Sequence, residues 1–284
     1  MSAPVPHVPQ TLASKVAVVS GSSHGIGAAI AQELSARGAS LVLNYPTPDL
    51  ENTAEQLGNS LAGTFLSVCA DISTADGPAK LVDAAVEKFG KIDILVNSAG
   101  RIIIKPFEDQ TLEDFTTLVN TNLRGMWLLT QAALPHLPKK EEGGGGRIVN
   151  MCSGVARQPM VNQSTYCATK GAIDSLTKEW ARELPPKVFF LPKAVGIARY
   201  LTCEQYGCTV NSVAPGPIET PGMRGCMTAE EMAVVQPQME MATPVAPRVG
   251  KPEEVAWAVA FLCEERSRWI NGEMLFVSGG LVID

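Results

Sequence analysis

The sequence predicts a doubly wound α/β fold, in which one parallel sheet of seven strands has helices on both faces. Short apolar, β-branched runs alternate with segments of helical periodicity along most of the chain, a pattern typical of parallel sheets. The first run leads into a glycine-rich turn and then a helix. No break in composition divides the chain, so we expect a single domain. The predicted strands are residues 15–20, 40–44, 66–70, 92–96, 147–152, 209–214 and 273–277.

Helical periodicity fills the intervals between these strands. Each such segment spaces its apolar residues three or four apart, which places them on one face of a helix. Parallel neighbours in a sheet need crossover connections of this kind. The predicted helices are residues 28–37, 52–62, 79–89, 111–134, 164–184 and 252–263.

Composition and charge narrow the possible partners. The chain has 284 residues, 45% of them hydrophobic, and a net charge of −6. A core of ordinary size is therefore available, whereas the basic patch needed to bind nucleic acid or an anionic membrane surface is lacking. Residues 1–12 have neither a basic nor an apolar stretch, so they predict a disordered lead-in rather than a signal peptide, with the domain at residues 13–284.

Cysteine and histidine usage indicates the compartment and the chemistry. The seven cysteines follow no metal-binding or C-x-x-C spacing, which favours free thiols in a reducing, cytoplasmic setting. Cys152 and Cys167 flank candidate catalytic positions but are interpreted as small packing residues. With three histidines in the chain, a histidine triad or a multi-histidine metal site is hard to assemble, so we expect no metal.

The glycine-rich turn at residues 21–27 is the first candidate binding site. Glycine lets the backbone approach a ligand closely, and the N-terminus of the following helix offers free N–H groups to a pyrophosphate. A tight turn without a ligand is the alternative interpretation. The candidate contacts are Gly21, Ser23, His24, Gly25, Ile26 and Gly27.

Tyr166 and Lys170 form the candidate catalytic pair. They lie one turn apart on the predicted helix at residues 164–184, so their side chains can meet. An ammonium beside a phenol favours the phenolate and lowers the pKa of the tyrosine, which makes it a usable general acid or base. A solvated helix face is the alternative. Ser153, thirteen residues before Tyr166, lies at the carboxyl end of the fifth strand.

Other strands also end in small or polar residues. Asn97-Ser98-Ala99-Gly100 follows the fourth strand and Pro215-Gly216 follows the sixth. The carboxyl ends of parallel strands form one edge of the sheet, where ligands bind in doubly wound folds.

These motifs together resemble the short-chain dehydrogenase/reductase family, in its single-domain branch, over about residues 12–284. Ser20 and Ser98 stand where the family has threonine and asparagine, and both changes are conservative. The resemblance implies a Rossmann-like fold and an oxidoreductase that uses a nicotinamide cofactor. It rests on Ser20 to Gly27 for T-G-x-x-x-G-I-G, Asn97 to Gly100 for N-N-A-G, Asn122, Ser153, Tyr166 and Lys170 for Y-x-x-x-K, and Pro215-Gly216.

The resemblance also implies a role for each catalytic residue. Tyr166 would protonate the substrate oxygen while a hydride reaches the carbonyl carbon, and Ser153 would hydrogen-bond that oxygen. Lys170 would lower the pKa of Tyr166 and hold the nicotinamide ribose, and Asn122 would hold a water that passes protons to Lys170. A dinucleotide-binding sensor or scaffold without turnover is the alternative function.

The second strand bears on the choice of cofactor. An NAD site usually places a carboxylate at the end of this strand, and Asn44 occupies that position, so the resemblance favours NADP(H). His24 could add positive character. The resemblance implies that Asp71 and Ile72 flank the adenine and that Ile218 and Thr220 clamp the carboxamide. The remaining cofactor contacts are Tyr45, Asn97, Ala99, Gly100, Pro215 and Gly216.

Two segments are unusual. Residues 217–250 hold five methionines where the family covers its substrate, which favours a bulky, apolar ketone like those of polyketide-pathway naphthol reductases; a packed cover or a subunit contact is the alternative. Residues 188–205 interrupt an otherwise continuous family sequence, and we interpret them as a translated, retained intron or else a family-specific loop. The family resemblance further implies a homodimer or homotetramer.

Overall fold

Seven parallel strands form one sheet in the structure, a computed structural model that describes residues 8–138, 145–184 and 207–283. The strands are β1 (Val16–Val19), β2 (Ser40–Tyr45), β3 (Phe65–Cys69), β4 (Ile94–Asn97), β5 (Arg147–Met151), β6 (Thr209–Pro215) and β7 (Met274–Val277). Their order across the sheet is β3-β2-β1-β4-β5-β6-β7, and every neighbouring pair is parallel. The predicted doubly wound fold is confirmed.

Helices cover both faces of this sheet. They are α1 (Gly25–Ala36), α2 (Glu51–Ser60), α3 (Gly77–Phe89), α4 (Leu112–Leu118), α5 (Met126–Ala133), α6 (Ser164–Glu183), α7 (Pro221–Gly225), α8 (Ala229–Ala242) and α9 (Pro252–Cys263). A π-helical turn, Val119–Gly125, joins α4 to α5.

Two apolar clusters, one on each face, hold the layers together. Helices α3, α5 and α6 pack into one cluster, and α1 and α9 pack into the other. Along β1, Val16 and Val18 belong to the first cluster, whereas Ala17 and Val19 belong to the second. Successive side chains of a strand point to opposite faces, so a strand buried on both sides must be apolar throughout.

The order of the strands reverses between β1 and β4, and this reversal creates the crevice for the site. The turns that follow these two strands are tied together by Ser20, whose Oγ accepts hydrogen bonds from the N–H groups of Ser98 (3.0 Å) and Ala99 (3.1 Å). Gly21 has a positive φ of 62°, and a Cβ there would lie 2.7 Å from the Cα of Ala99. Only glycine fits this approach.

The long helix expected at residues 111–134 is interrupted. It divides into α4, the π-helical turn and α5. The carboxamide of Asn122, inside the π-helical turn, bonds both the N–H and the C=O of Arg101, and a residue at Gly125 with a Cβ would meet the carbonyl oxygen of Ile72. Tertiary contacts of this kind decide a local helix type that periodicity does not reveal.

The segment at residues 217–250 is more regular than its sequence pattern indicates, because it contains α7 and α8. Helix α8 has no buried residue and includes Pro237, so no apolar stripe marks it in the sequence. A capping box does mark its start: Thr228 and Glu231 each bond the other's backbone N–H.

Some expectations concern residues beyond the described ranges. The predicted insertion at residues 188–205 lies wholly outside them, as does much of the expected lead-in, and the extent of the domain stays a prediction. In the described ranges, no helix is long and apolar enough to cross a membrane, and no three histidine, cysteine or acidic side chains group as metal ligands. The six described cysteines are free.

Leu95 on β4 offers a test of the packing, because its side chain is 0% exposed within the first apolar cluster. Leu95→Ala should lower the free energy of unfolding by about 3 kcal/mol through lost transfer energy and a residual cavity. Val234→Ala, at a position on α8 that is 61% exposed, is the control and should change it by less than about 0.5 kcal/mol. Urea unfolding measures both, and equal effects would contradict the layer assignment.

Candidate active site

Ser153 and Tyr166 approach each other from β5 and α6. Ser153 follows the end of β5 and caps a short 3₁₀ turn, Gly154–Ala156, where its Oγ accepts the Val155 N–H at 3.4 Å. Tyr166 lies in the first turn of α6. Both residues line the same cavity, and the Ser153 hydroxyl acts to lower the pKa of Tyr166. Two proton-bearing oxygens therefore face the same space at the carboxyl edge of the sheet.

Lys170 lies beneath this pair. Its side chain is buried, with the residue 5% exposed, and its Nζ donates to the main-chain oxygen of Met151 at 2.7 Å. The Nζ is 5.7 Å from the centre of the Tyr166 ring. Cys152 adds a second link, because its Sγ donates to the main-chain oxygen of Lys170 at 3.3 Å. These bonds fix the end of β5 against α6.

The pKa values show what burial does to this group. Burial raises the pKa of Tyr166 to about 12, and the nearby Ser153 hydroxyl acts in the opposite direction. Burial lowers the pKa of Lys170 to about 8. The pKa of Tyr166 therefore lies above its ordinary value and not below it as expected, because burial outweighs the influences that lower it. The contribution expected from Lys170 stays a prediction.

Asn122 lies close to Lys170 but its side chain is occupied. Its Oδ1 accepts the Arg101 N–H at 2.7 Å, and its Nδ2 donates to the Arg101 carbonyl at 2.9 Å and to Thr169 Oγ1 at 3.2 Å. Gly100 lies between the two residues, since a Cβ there would be 3.5 Å from Asn122 Oδ1 and 3.8 Å from Lys170 Nζ. The geometry brings Asn122 to the site, and the water expected beside it stays a proposal.

Asn97 requires a correction, because its side chain turns into the protein although the residue ends β4 at the carboxyl edge of the sheet. Its Nδ2 donates to Thr130 Oγ1 at 3.0 Å and to Asn150 Oδ1 at 2.8 Å, and Asn150 in turn donates to Thr177. The side chain of Asn97 links β4, β5 and the helices behind them. The sequence alone does not show on which face of the sheet the side chain of a strand-end asparagine lies.

Asn44 requires a second correction. Strand β2 ends one residue later, at Tyr45, and Asn44 is 2% exposed. Its Oδ1 accepts the Gly21 N–H at 3.0 Å, while its Nδ2 donates to the carbonyls of Ala70 (2.8 Å) and Val68 (3.3 Å). The buried carboxamide supports the glycine-rich turn from behind, and its N–H groups all bond to main-chain oxygens of the protein.

The other residues expected near the adenine differ in their exposure. Tyr45 and Ile72 are buried, whereas Asp71 is partly exposed and accepts the Ser73 N–H at 2.9 Å. In the glycine-rich turn, Ser23 Oγ lies 2.9 Å from Nδ1 of the exposed His24.

The glycine-rich turn fits a dinucleotide. Gly21 and Gly25 have positive φ values of 62° and 61°, and a Cβ at Gly27 would collide with the carbonyl oxygen of Gly21. His24 precedes α1 without any side-chain cap, so the first N–H groups of this helix lack a side-chain partner. A phosphate is the ligand that such a helix start accommodates.

A cavity of about 500 Å³ opens beside Tyr166, and most of its lining is apolar. Expected site residues that reach it are Ile26, Gly100, Ser153, Tyr166, Lys170, Pro215, Gly216, Ile218 and Thr220, together with the methionines Met223, Met227 and Met239. Met232 and Met241 of the covering segment do not line it. The sequence prediction missed Arg101, Ile102, Ile104, Gln158, Pro159, Met160, Gln163, Leu281 and Val282.

The missed residues differ in how visible they are in sequence. Gln163 precedes Tyr166 by three positions, a spacing that puts both on one side of a helix start, so this residue could have been found. Leu281 and Val282 come from the end of the chain, and only the tertiary fold brings them to the cavity.

Comparison with known proteins agrees with this geometry. The family model described as short chain dehydrogenase matches residues 15–190, and the model described as enoyl-(acyl carrier protein) reductase matches residues 194–282. A parallel sheet with a glycine-rich first turn and a Ser–Tyr–Lys group defines an oxidoreductase class. The chain belongs to the short-chain dehydrogenase/reductase family.

Relatives match over nearly their whole length. The short-chain dehydrogenase/reductase FrzI of Cladobotryum sp. is 38% identical over 96% of this chain and 98% of its own. The hydroxynaphthalene reductase-like protein Arp2 of Metarhizium anisopliae is 32% identical over 96% and 97%. A crystal structure of a short chain dehydrogenase from Burkholderia cenocepacia in complex with NADP has a TM-score of 0.79 at 33% identity, covering 95% of this chain and 99% of that one.

The corrected position of Asn44 predicts the outcome of Asn44→Asp. A carboxylate there would face the carbonyls of Ala70 and Val68 without a donor, so the free energy of unfolding should fall by about 2 kcal/mol. Affinities for NADPH and NADH should weaken together, with their ratio changed less than about threefold, because the carboxylate supports the turn and not the ribose. Urea unfolding and fluorescence titration measure these effects.

Asn52→Asp is the matched control, because Asn52 is exposed in the first turn of α2 and should tolerate the carboxylate within about 0.5 kcal/mol. A tenfold or larger shift of Asn44→Asp toward NADH without loss of stability would restore the original interpretation of Asn44.

Proposed function

We propose that the protein is an NADP(H)-dependent reductase that converts a ketone of a bulky, apolar substrate to the alcohol, with Tyr166 as the proton donor. The observation that carries the proposal is that Ser153 and Tyr166 line one wall of an apolar cavity together with a buried lysine, Lys170. The reverse oxidation uses the same groups.

The chain's own residues handle the substrate oxygen. Ser153 donates a hydrogen bond to that oxygen, and Tyr166 transfers its phenolic proton to it. When bound, NADPH supplies the hydride that the carbonyl carbon accepts. Because Tyr166 has a pKa of about 12, it is fully protonated at neutral pH and ready to act as an acid.

Lys170 compensates for the charge that this proton transfer leaves behind. Below its pKa of about 8 the side chain is an ammonium, and its positive charge, 5.7 Å from the centre of the Tyr166 ring, would stabilise the phenolate formed there. The ammonium has three N–H groups and uses one of them to bond Met151. The two that remain support its expected contact with the nicotinamide ribose. Asn122, clamped to Arg101, would position a water for reprotonation.

Three observations support the cofactor assignment. The glycine cradle and the uncapped start of α1 suit a pyrophosphate. No residue from Asn44 to Thr47 carries a carboxylate that would repel a 2′-phosphate. The similar Burkholderia cenocepacia dehydrogenase is a complex with NADP.

The cavity supports the substrate class. Met223, Met227 and Met239 contribute adaptable apolar surface to its lining. Its volume suits a ligand of drug-like size. The similarity to a hydroxynaphthalene reductase-like protein is consistent with a polycyclic ketone and with a role in secondary metabolism.

We further propose a cytoplasmic homodimer or homotetramer. Large apolar side chains are exposed on the α4–α5 face, at Leu112, Phe115 and Trp127. A second exposed group, Trp257 and Trp269, lies on and just beyond α9. Apolar surface of this kind commonly marks protein contacts.

Tyr166→Phe tests the function directly. Loss of the proton donor should lower kcat/KM for ketone reduction by at least about a thousandfold, while the dissociation constant for NADPH changes less than about threefold. NADPH oxidation with a panel of aromatic ketones, together with fluorescence titration, measures both. Turnover within tenfold of wild type would contradict the role of Tyr166, and NADPH binding without turnover of any ketone by the wild type would favour the sensor or scaffold.

A further inference from the structure

Gln163 is a buried polar residue in the wall of the active-site cavity that none of the catalytic steps uses. It is 5% exposed, and its Oε1 is enclosed without a hydrogen-bond partner. Among the residues that the structure describes, none bonds to the carboxamide nitrogen either. Buried side-chain polar atoms in proteins are nearly always paired, so an unpaired amide in a cavity wall requires an explanation.

Hydrogen bonds hold the backbone at and before Gln163, so its side chain starts from a fixed point. The preceding residue, Asn162, has a φ of 62° in the left-handed region, and its carbonyl accepts the Lys105 N–H at 2.8 Å. The carbonyl of Gln163 accepts the Cys167 N–H at 2.8 Å. Although Gln163 occupies the position before α6, its side chain makes no capping hydrogen bond to the helix.

The location relative to Tyr166 suggests what the amide can meet. Side chains three positions apart at a helix start share one side, with Cβ atoms about 5–6 Å apart. Both residues line the same cavity. A substrate whose carbonyl oxygen contacts Tyr166 would therefore bring a neighbouring part of its skeleton to Gln163.

We propose that Gln163 determines substrate specificity by hydrogen-bonding a hydroxyl group of the substrate that is distinct from the reacting carbonyl. A carboxamide presents a donor and an acceptor, and a hydroxyl can satisfy either, whichever way the amide is turned. This inference rests on the proposed ketone reduction and narrows its substrate class to hydroxylated apolar ketones.

The test compares two substrates in one enzyme, so that the folded fraction cancels. Tetralone and its monohydroxylated isomers are reduced with NADPH by the wild type and by Gln163→Met, which keeps the length of the side chain without its hydrogen bonds. For at least one isomer, the wild type should show kcat/KM about tenfold or more above that of tetralone, because an unhydroxylated ligand leaves the amide unpaired. In Gln163→Met this ratio should fall to within about twofold.

Gln131→Met is the matched control, because Gln131 is exposed on α5 and does not line the cavity, and it should keep the wild-type ratio. Gln163→Leu provides a second variant if the methionine variant does not fold. A ratio that is unchanged by both variants at Gln163, or a wild type that shows no preference for any isomer, would overturn the inference while leaving ketone reduction intact. Absence of NADPH oxidation with every ketone would contradict the proposed reduction itself.

Discussion

The bond from the Lys170 ammonium to the main-chain oxygen of Met151 is the interaction on which the site depends. A buried ammonium requires fixed acceptors, since burial penalises its charged form. This bond joins the end of β5 to the second turn of α6. A second bond, from Cys152 to the main-chain oxygen of Lys170, joins the same two elements. Ser153 and Tyr166 are carried by these same two elements. Their mutual distance, and so their ability to act on one oxygen, follows from where Lys170 is anchored.

Ion pairs and hydrogen bonds also hold the surrounding turns in place. Asp174, one turn beyond Lys170 on α6, pairs with Arg157 at 2.7 Å and Lys178 at 2.9 Å, and Arg157 belongs to the turn that follows Ser153. Asp174 is buried, so losing one partner there is more damaging than at the surface. Ser20 performs the equivalent task for the turns after β1 and β4. The catalytic and cofactor halves are thus both fixed by bonds that cross between elements.

The sequence predicted the strands and the proximity of Ser153, Tyr166 and Lys170 because both are marked by local patterns. Continuous apolar runs show strands that are buried on two faces, and the spacing of Tyr166 and Lys170 shows a shared helix face. The roles given to Asn44 and Asn97 were not predictable, because the direction of a strand-end side chain depends on register. The pKa of Tyr166 was expected to lie below its ordinary value, but burial raises it. Burial depends on the tertiary fold, which the spacing of Tyr166 and Lys170 does not reveal. The spacing of Gln163 from Tyr166 was visible in the sequence, but Gln163 belongs to no motif.

The pH dependence of ketone reduction by the wild type tests the central role of Lys170 most directly. Burial lowers the pKa of this lysine to about 8, so it is charged below that pH and neutral above it. The ratio kcat/KM reports the ionisations of the free enzyme. It should be level from about pH 6 to about pH 8 and then fall, by up to about tenfold per pH unit, as the ammonium is lost. A ratio that stays level to about pH 10 would contradict the account, because the charge on Lys170 would then be irrelevant to proton transfer.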